Sequence, residues 1–107
     1  MTKASPIIRL YFAKMKNSFG ELSDQQKMEF MRKDRENLDR LGMKAISMID
    51  CSSTSDEWDF IGVEQWPSMK AVEKRKIFED EELEVSKYVE SKTILGTPES
   101  FDDYGKI

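Results

Sequence analysis

The stretch Trp58-Asp59-Phe60-Ile61-Gly62-Val63-Glu64-Gln65-Trp66 constrains this chain more than any other part of it. Read with a strand's period of two, Trp58, Phe60, Gly62, Glu64 and Trp66 fall on one face, and Asp59, Ile61, Val63 and Gln65 on the other. Large apolar side chains point both ways, so the strand is expected to be covered on both sides. A sheet built around it needs something packed on each face.

The flanking segments supply the other elements. Pro6 opens a strand over Ile7 to Met15, whose two faces read Ile8, Leu10, Phe12 and Ile7, Arg9, Tyr11, Ala13, Met15. Lys16 to Leu22 carries the turn-compatible residues Asn17, Ser18 and Gly20 and reads as a loop. Ser23-Asp24-Gln25-Gln26 has the form of a capping box, in which a Ser hydroxyl takes an orphan amide and the Gln three residues on reaches back. The helix it opens runs to Leu41, and Gly42 suits the left-handed position that ends it. Met28, Met31, Leu38 and Leu41 give this helix an apolar stripe that Asp34 and Arg35 interrupt.

A second strand is expected over Met43 to Ile49, a polar loop over Asp50 to Glu57, and the third strand over Trp58 to Trp66. Pro67-Ser68 then starts a helix, since Pro is tolerated where the amide would lack a partner. Met69, Val72 and Ile77 form its apolar side. Glu79 to Glu84 reads as a further helical turn and a solvated acidic face. Tyr88 to Leu95 is the fourth strand, ended by Gly96-Thr97-Pro98, and Phe101, Tyr104 and Ile107 lie in a tail.

The order is β-α-β-β-α-β. With right-handed crossovers both helices lie on one face of a four-stranded antiparallel sheet. On this reading the chain is a single α+β domain over residues 1–107, with a core at 6–97 and a tail at 98–107. The other sheet face is bare, and the reading assigns Tyr11, Trp58, Phe60 and Trp66 to it. That patch is too large to leave in water. A second copy joined through a two-fold axis is the expected cover.

Composition limits the function classes. The net charge of −4 gives no basic excess for embracing nucleic acid or anionic lipid. No apolar run approaches the ~20 residues of a membrane span, and the N-terminal residues lack the apolar stretch of a signal peptide. With Cys51 alone no internal disulfide is expected, and the location expected by default is cytoplasmic. The chain has no histidine, which removes His-based triads, Cys–His pairs and His-ligated metal sites. Cys51, in a Ser-rich loop between acidic residues, reads as an idle surface thiol. No metal site and no cofactor are expected.

The element order, the length and the two-sided third strand ending in Trp66-Pro67-Ser68 resemble the dimeric α/β-barrel superfamily over roughly residues 6 to 97. That group holds small monooxygenases, isomerases, polyketide cyclases and stress-responsive barrel proteins. The resemblance implies a ferredoxin-like fold, a homodimer whose two sheets pack as a barrel, and a pocket between sheet and helices in each subunit. The histidine that several of its members use has no counterpart here.

Arg9, Tyr11, Phe60, Glu64 and Trp66 form the candidate ligand-binding constellation. If the first and third strands are antiparallel neighbours, Arg9 stands beside Glu64 or Trp66, within reach of an ion pair or a cation–π contact. The favoured reading is a structural Arg–Glu pair within a dimer interface. The functional alternative makes Glu64 a general base, with Arg9 holding an oxyanion or carboxylate and Tyr11 beside them. Three function classes follow. The first is a homodimer binding a small aromatic or apolar molecule between sheet and helices. The second is a cofactor-independent monooxygenase-, isomerase- or cyclase-like enzyme. An RNA-binding module ranks last, because Asp59-Phe60-Ile61-Gly62-Val63 lacks the basic and glycine positions of an RNA-recognition strand.

Overall fold

A computed structural model describes residues 6–106. Its elements are strand β1 (Ile7–Met15), a single helical turn α1 (Asn17–Gly20), helix α2 (Asp24–Arg40), strand β2 (Lys44–Asp50), strand β3 (Phe60–Trp66), helix α3 (Met69–Glu81), a 3-10 turn (Val85–Lys87) and strand β4 (Val89–Gly96). The strands form one antiparallel sheet in the order β2-β3-β1-β4. The expected β-α-β-β-α-β ferredoxin-like arrangement is the observed one. β1 and β2 are both antiparallel to β3 and hence parallel to each other, so no hairpin can join them. The crossover through α2 makes the connection.

The predicted punctuation is present. Ser23 Oγ accepts from the Gln26 amide at 3.1 Å and Gln26 Oε1 accepts from the Ser23 amide at 2.9 Å, completing the capping box of α2. Gly42 follows the end of α2 with φ of 83°, a region that L side chains rarely adopt. Ser68 caps α3 by accepting from the Ala71 amide. Three local expectations fail, the first being the apolar side of α3, where Val72 is buried but Met69 and Ile77 are exposed. The segment after β1 forms α1, whose Phe19 lies edge-on to Phe30 and Tyr88. The thiol expected at the surface is enclosed: Cys51 is buried at the start of a mostly exposed loop, with its amide bonded to the Asp59 carbonyl and its own carbonyl accepting from the Thr54 and Ser55 amides.

The helices lie on the face of Arg9, Tyr11, Ala13, Phe60, Glu64 and Trp66. Ala13 packs with Leu83, Val85 and Val89 at one end of this face. Trp66, fully enclosed, packs with Ala71, Val72, Leu38 and Leu41 at the other. This corrects the expected facing. Tyr11, Phe60 and Trp66 lie beneath the helices, and of the aromatic residues assigned to the bare face only Trp58 stays there, against Phe12 with ring centroids 5.5 Å apart. Trp58 leaves the period-two pattern because β3 begins only at Phe60. Its amide is bound by Ser55 Oγ in the preceding loop, not by a neighbouring strand.

The opposite face carries Ile8, Leu10 and Phe12 of β1, paired in register with Ile61 and Val63 of β3 and with Ile94 of β4. Ile49 of β2 pairs with Ile61 and joins them. None of the described helices covers these side chains, so the face remains apolar, though with a different membership from the one expected. Ile49 and Ile94 are exposed, and the Lys92 ammonium lies 5.8 Å from the Phe12 ring. In β2 an extra residue at Ile46 interrupts the alternation, so Ala45 pairs with Glu64, while Ser47 and Met48 pair with Val63 and Gly62. The bulge turns Met48 toward the helices and Ile49 away from them.

The tail residues Phe101 and Tyr104 are stacked on each other and exposed, and Ile107 lies outside the described residues. Among the described residues no helix is long and apolar enough to cross a membrane.

Candidate functional site

Between the sheet and α2 lies a cavity of about 340 Å³. Its origin is legible along β3. The residues facing the helices are Phe60, Gly62, Glu64 and Trp66, and Gly62 contributes no side chain. A Cβ placed there would meet nothing closer than Glu64 Oε2 at 3.7 Å, with Met48 Cε and Tyr11 Cβ at 3.9 Å. A Cβ would thus sit in ordinary contact, and the glycine leaves the room beyond it to the cavity that it lines above the middle of the sheet. Tyr11 and Met15 of β1, Phe60 of β3, Met48 of β2 and Phe30, Met31 and Leu38 of α2 wall that space with apolar surface. Thioether and aromatic walls adapt to irregular apolar shapes, since methionine is flexible and its sulfur polarisable.

A charged network closes one end. Arg9 is buried and its Nε donates to Glu64 Oε1 at 2.6 Å, while Nη1 and Nη2 reach Glu79 at 3.4 and 3.2 Å. Arg75 on α3, also buried, donates through Nε to Glu79 Oε2 at 3.0 Å, through Nη1 to Asn37 Oδ1 at 2.9 Å, and through Nη2 to Asp34. Trp66 Nε1 donates to Glu64 Oε1 at 3.0 Å. The Arg9 guanidinium also lies between two rings, 5.1 Å from Tyr11 and 5.2 Å from Trp66. Charges taken from water persist only when matched in this way, because isolated ions in the interior lose several kcal/mol of hydration each (roughly).

The electrostatics follow from these contacts. Burial pulls the Arg9 guanidinium down, but the Glu64 hydrogen bond and the field of Glu79 outweigh it, and its pKa ends above the ordinary arginine value. Burial, with the Glu79 charge adding to it, raises the Tyr11 hydroxyl above the ordinary phenol value, so Tyr11 is a neutral donor at physiological pH.

Of the residues predicted for the site, Arg9, Tyr11, Phe60 and Glu64 line the cavity, and Trp66 stands directly behind Glu64 without lining it. The expected Arg9–Glu64 pairing is present in register. Its setting differs from the expected dimer interface, since the pair lies beneath α3. Sequence reasoning missed Glu79, Arg75, Asp34 and Asn37. In the sequence Glu79 belongs to an acidic run expected to be solvated, yet it is the carboxylate that bridges both arginines. Two signals were available: the i,i+4 spacing of Arg75 and Glu79, and the break that Asp34 makes in the apolar stripe of α2.

No protein-family model matches the sequence, and no curated protein matches it. Solved structures do share its fold. A dabb family protein with a ferredoxin-like fold from Mesorhizobium loti aligns over 90% of this chain and 99% of its own, with a TM-score of 0.58 and 12% identity. A protein of unknown function from Rhodopseudomonas palustris aligns over 90% of this chain and 84% of its own, with a TM-score of 0.58 and 17% identity. A hypothetical Arabidopsis thaliana protein aligns over 94% of this chain and 95% of its own, with a TM-score of 0.58 and 14% identity. At such identities the likeness establishes the ferredoxin-like fold and carries no activity.

Proposed function

We propose that this chain binds a small apolar or aromatic molecule in the cavity between the sheet and α2, and that it does so as a homodimer joined through the uncovered sheet face. The cavity carries the first half of the reading. Its volume of about 340 Å³ is at the lower end of the ~300–1,000 Å³ range of small-molecule sites, which suits a single-ring ligand. Apolar walls with a few convergent polar groups at one end are the usual composition of such sites. Thermal-shift screening against small aromatic compounds tests it: hits should raise the melting temperature of the wild type and not of Gly62→Leu, whose side chain would fill the space.

The uncovered face carries the second half. Covering side chains such as Leu10, Phe12, Ile61 and Val63 gains on the order of 1 kcal/mol each beyond their present half-burial. Summed over two copies, the set reaches the ~4–15 kcal/mol that association costs. Sedimentation equilibrium should show a dimer for the wild type and monomer or aggregate for Leu10→Asp. A monomeric wild type would remove the homodimer.

A second reading rests on Glu64. Its Oε1 accepts from Arg9 and Trp66, while Oε2 has no partner among the described residues and borders the cavity floor at Gly62. A carboxylate oxygen held in this way can take a proton from a bound enolisable or phenolic compound, as a cofactor-independent isomerase- or cyclase-like reaction requires. Solvent deuterium exchange into a bound ketone, lost in Glu64→Gln, would support it.

A further inference from the structure

Two arginines at the end of an apolar cavity look at first like a receptor for a carboxylate. The hydrogen bonds argue otherwise. Each guanidinium nitrogen of Arg9 and of Arg75 already donates to a protein oxygen: Arg9 to Glu64 and Glu79, Arg75 to Glu79, Asn37 and Asp34. Two positive charges face three carboxylates, so the network carries one net negative charge. An anion entering the cavity would meet guanidinium groups already paired with the Glu64, Glu79 and Asp34 carboxylates, and a surplus of like charge.

The acceptors are in the opposite condition. Glu64 Oε2 has no donor among the described residues, and neither has Asp34 Oδ2. Every fully buried side-chain nitrogen or oxygen among those residues has a partner, so these two oxygens are within reach of solvent or a ligand. Both residues line the cavity. The other walls include the Tyr11, Phe19, Phe30 and Phe60 rings, whose faces attract cations and repel none of the apolar body behind them.

We infer that the ligand is a small apolar or arylalkyl molecule ending in a protonated amine, which Glu64 Oε2 accepts from and the surplus charge of the Arg9–Glu64–Glu79–Arg75–Asp34 network holds. This rests on the small-molecule reading of the cavity and names the head group that reading leaves open. The amine takes the unfilled acceptor, its charge neutralises the network, and its apolar body replaces water against Met31, Met48 and Leu38. The preference is a property of this chain's own charge count and does not depend on the identity of the body.

The test compares three near-isosteric probes, phenylbutylamine, phenylbutanol and phenylbutyrate, by calorimetry at neutral pH. A charge-assisted hydrogen bond gives about 10-fold or more discrimination, so the amine should bind at least ~10-fold more tightly than the carboxylate and more tightly than the alcohol. Glu64→Gln should cost the amine about 10-fold while leaving the alcohol within ~2-fold, as loss of a charged acceptor but not of an acceptor predicts. If Glu64→Gln fails to fold for want of the Arg9 partner, the more exposed Asp34→Asn serves, reducing the amine preference by lowering the surplus charge. Binding of the alcohol or carboxylate as tightly as the amine would overturn the head-group assignment and leave the cavity reading standing. No binding of any probe to the wild type would overturn both.

Discussion

The two long helices lie on the same face of the same sheet, yet they meet it differently. α3 places the small side chains Ala71 and Val72 against Trp66, and its Arg75 and Glu79 reach down into the charged network. α2 turns only Asn37 fully inward; Phe30 and Leu38 are half-covered, and Met28 and Met31 are 67% and 53% exposed. The difference lies in what the strand beneath offers. Trp66 fills the interlayer under α3, and Gly62 leaves it empty under α2. The Trp66 end of the face is thus built for stability and the middle for occupancy, and the charged network is the wall between them.

The largest effects should separate these regions. Arg9→Leu strands Glu64 and Glu79, and removing one partner of a buried pair costs ~3–5 kcal/mol. Trp66→Ala opens a void in the filled half at a similar cost of ~3–5 kcal/mol. Met31→Ala, at the half-exposed rim of the cavity, should change stability by no more than ~0.5 kcal/mol. Urea denaturation measures all three, and a Met31 loss equal to that at Trp66 would erase the distinction.

Gly62→Val probes the hollow half directly. A Cβ fits at ordinary contact distance there, the added methyls enter the cavity that Gly62 lines, and valine suits a strand better than glycine. Stability should stay within ~1 kcal/mol of the wild type, while ligand-induced thermal shifts disappear. A destabilisation as large as that of Trp66→Ala would mean that the cavity is not free space.

The smallest effect concerns pH. The folded-state pKa of Tyr11 is raised, so its contribution is complete below the ordinary phenol value of about 10 and is lost as pH climbs through the higher folded value. The urea midpoint of the wild type should therefore fall at strongly alkaline pH, and that of Tyr11→Phe should fall less. Equal slopes would place the Tyr11 hydroxyl in water.

How far the sequence shows this molecule depends on the kind of signal. Local chemistry was readable: the Ser23–Gln26 box, Gly42 at the end of α2 and Ser68 ahead of α3 act through neighbours in the chain. The β1–β3 pairing was readable too, since Arg9 and Glu64 share a face under any antiparallel register that aligns the strand ends. The side of the sheet on which that shared face lies was not, because parity sorts residues into two sets without saying which set the helices cover. The Met48 and Ile49 facings were hidden by the extra residue at Ile46, and Trp58 by a strand that begins two residues later than its alternation suggests. Glu79 sits in an acidic run, and only the tertiary meeting of α3 with β1 shows that it is enclosed.

The extra residue in β2 has a consequence beyond the cavity floor. β2 is an outer strand of the sheet, and its N–H and C=O groups on the free side would otherwise template a further strand from another molecule. The kink at Ile46 breaks that row and increases the local twist, so ribbon-like growth along the edge is discouraged. The homodimer proposed above, joined through the sheet face, leaves this edge unused.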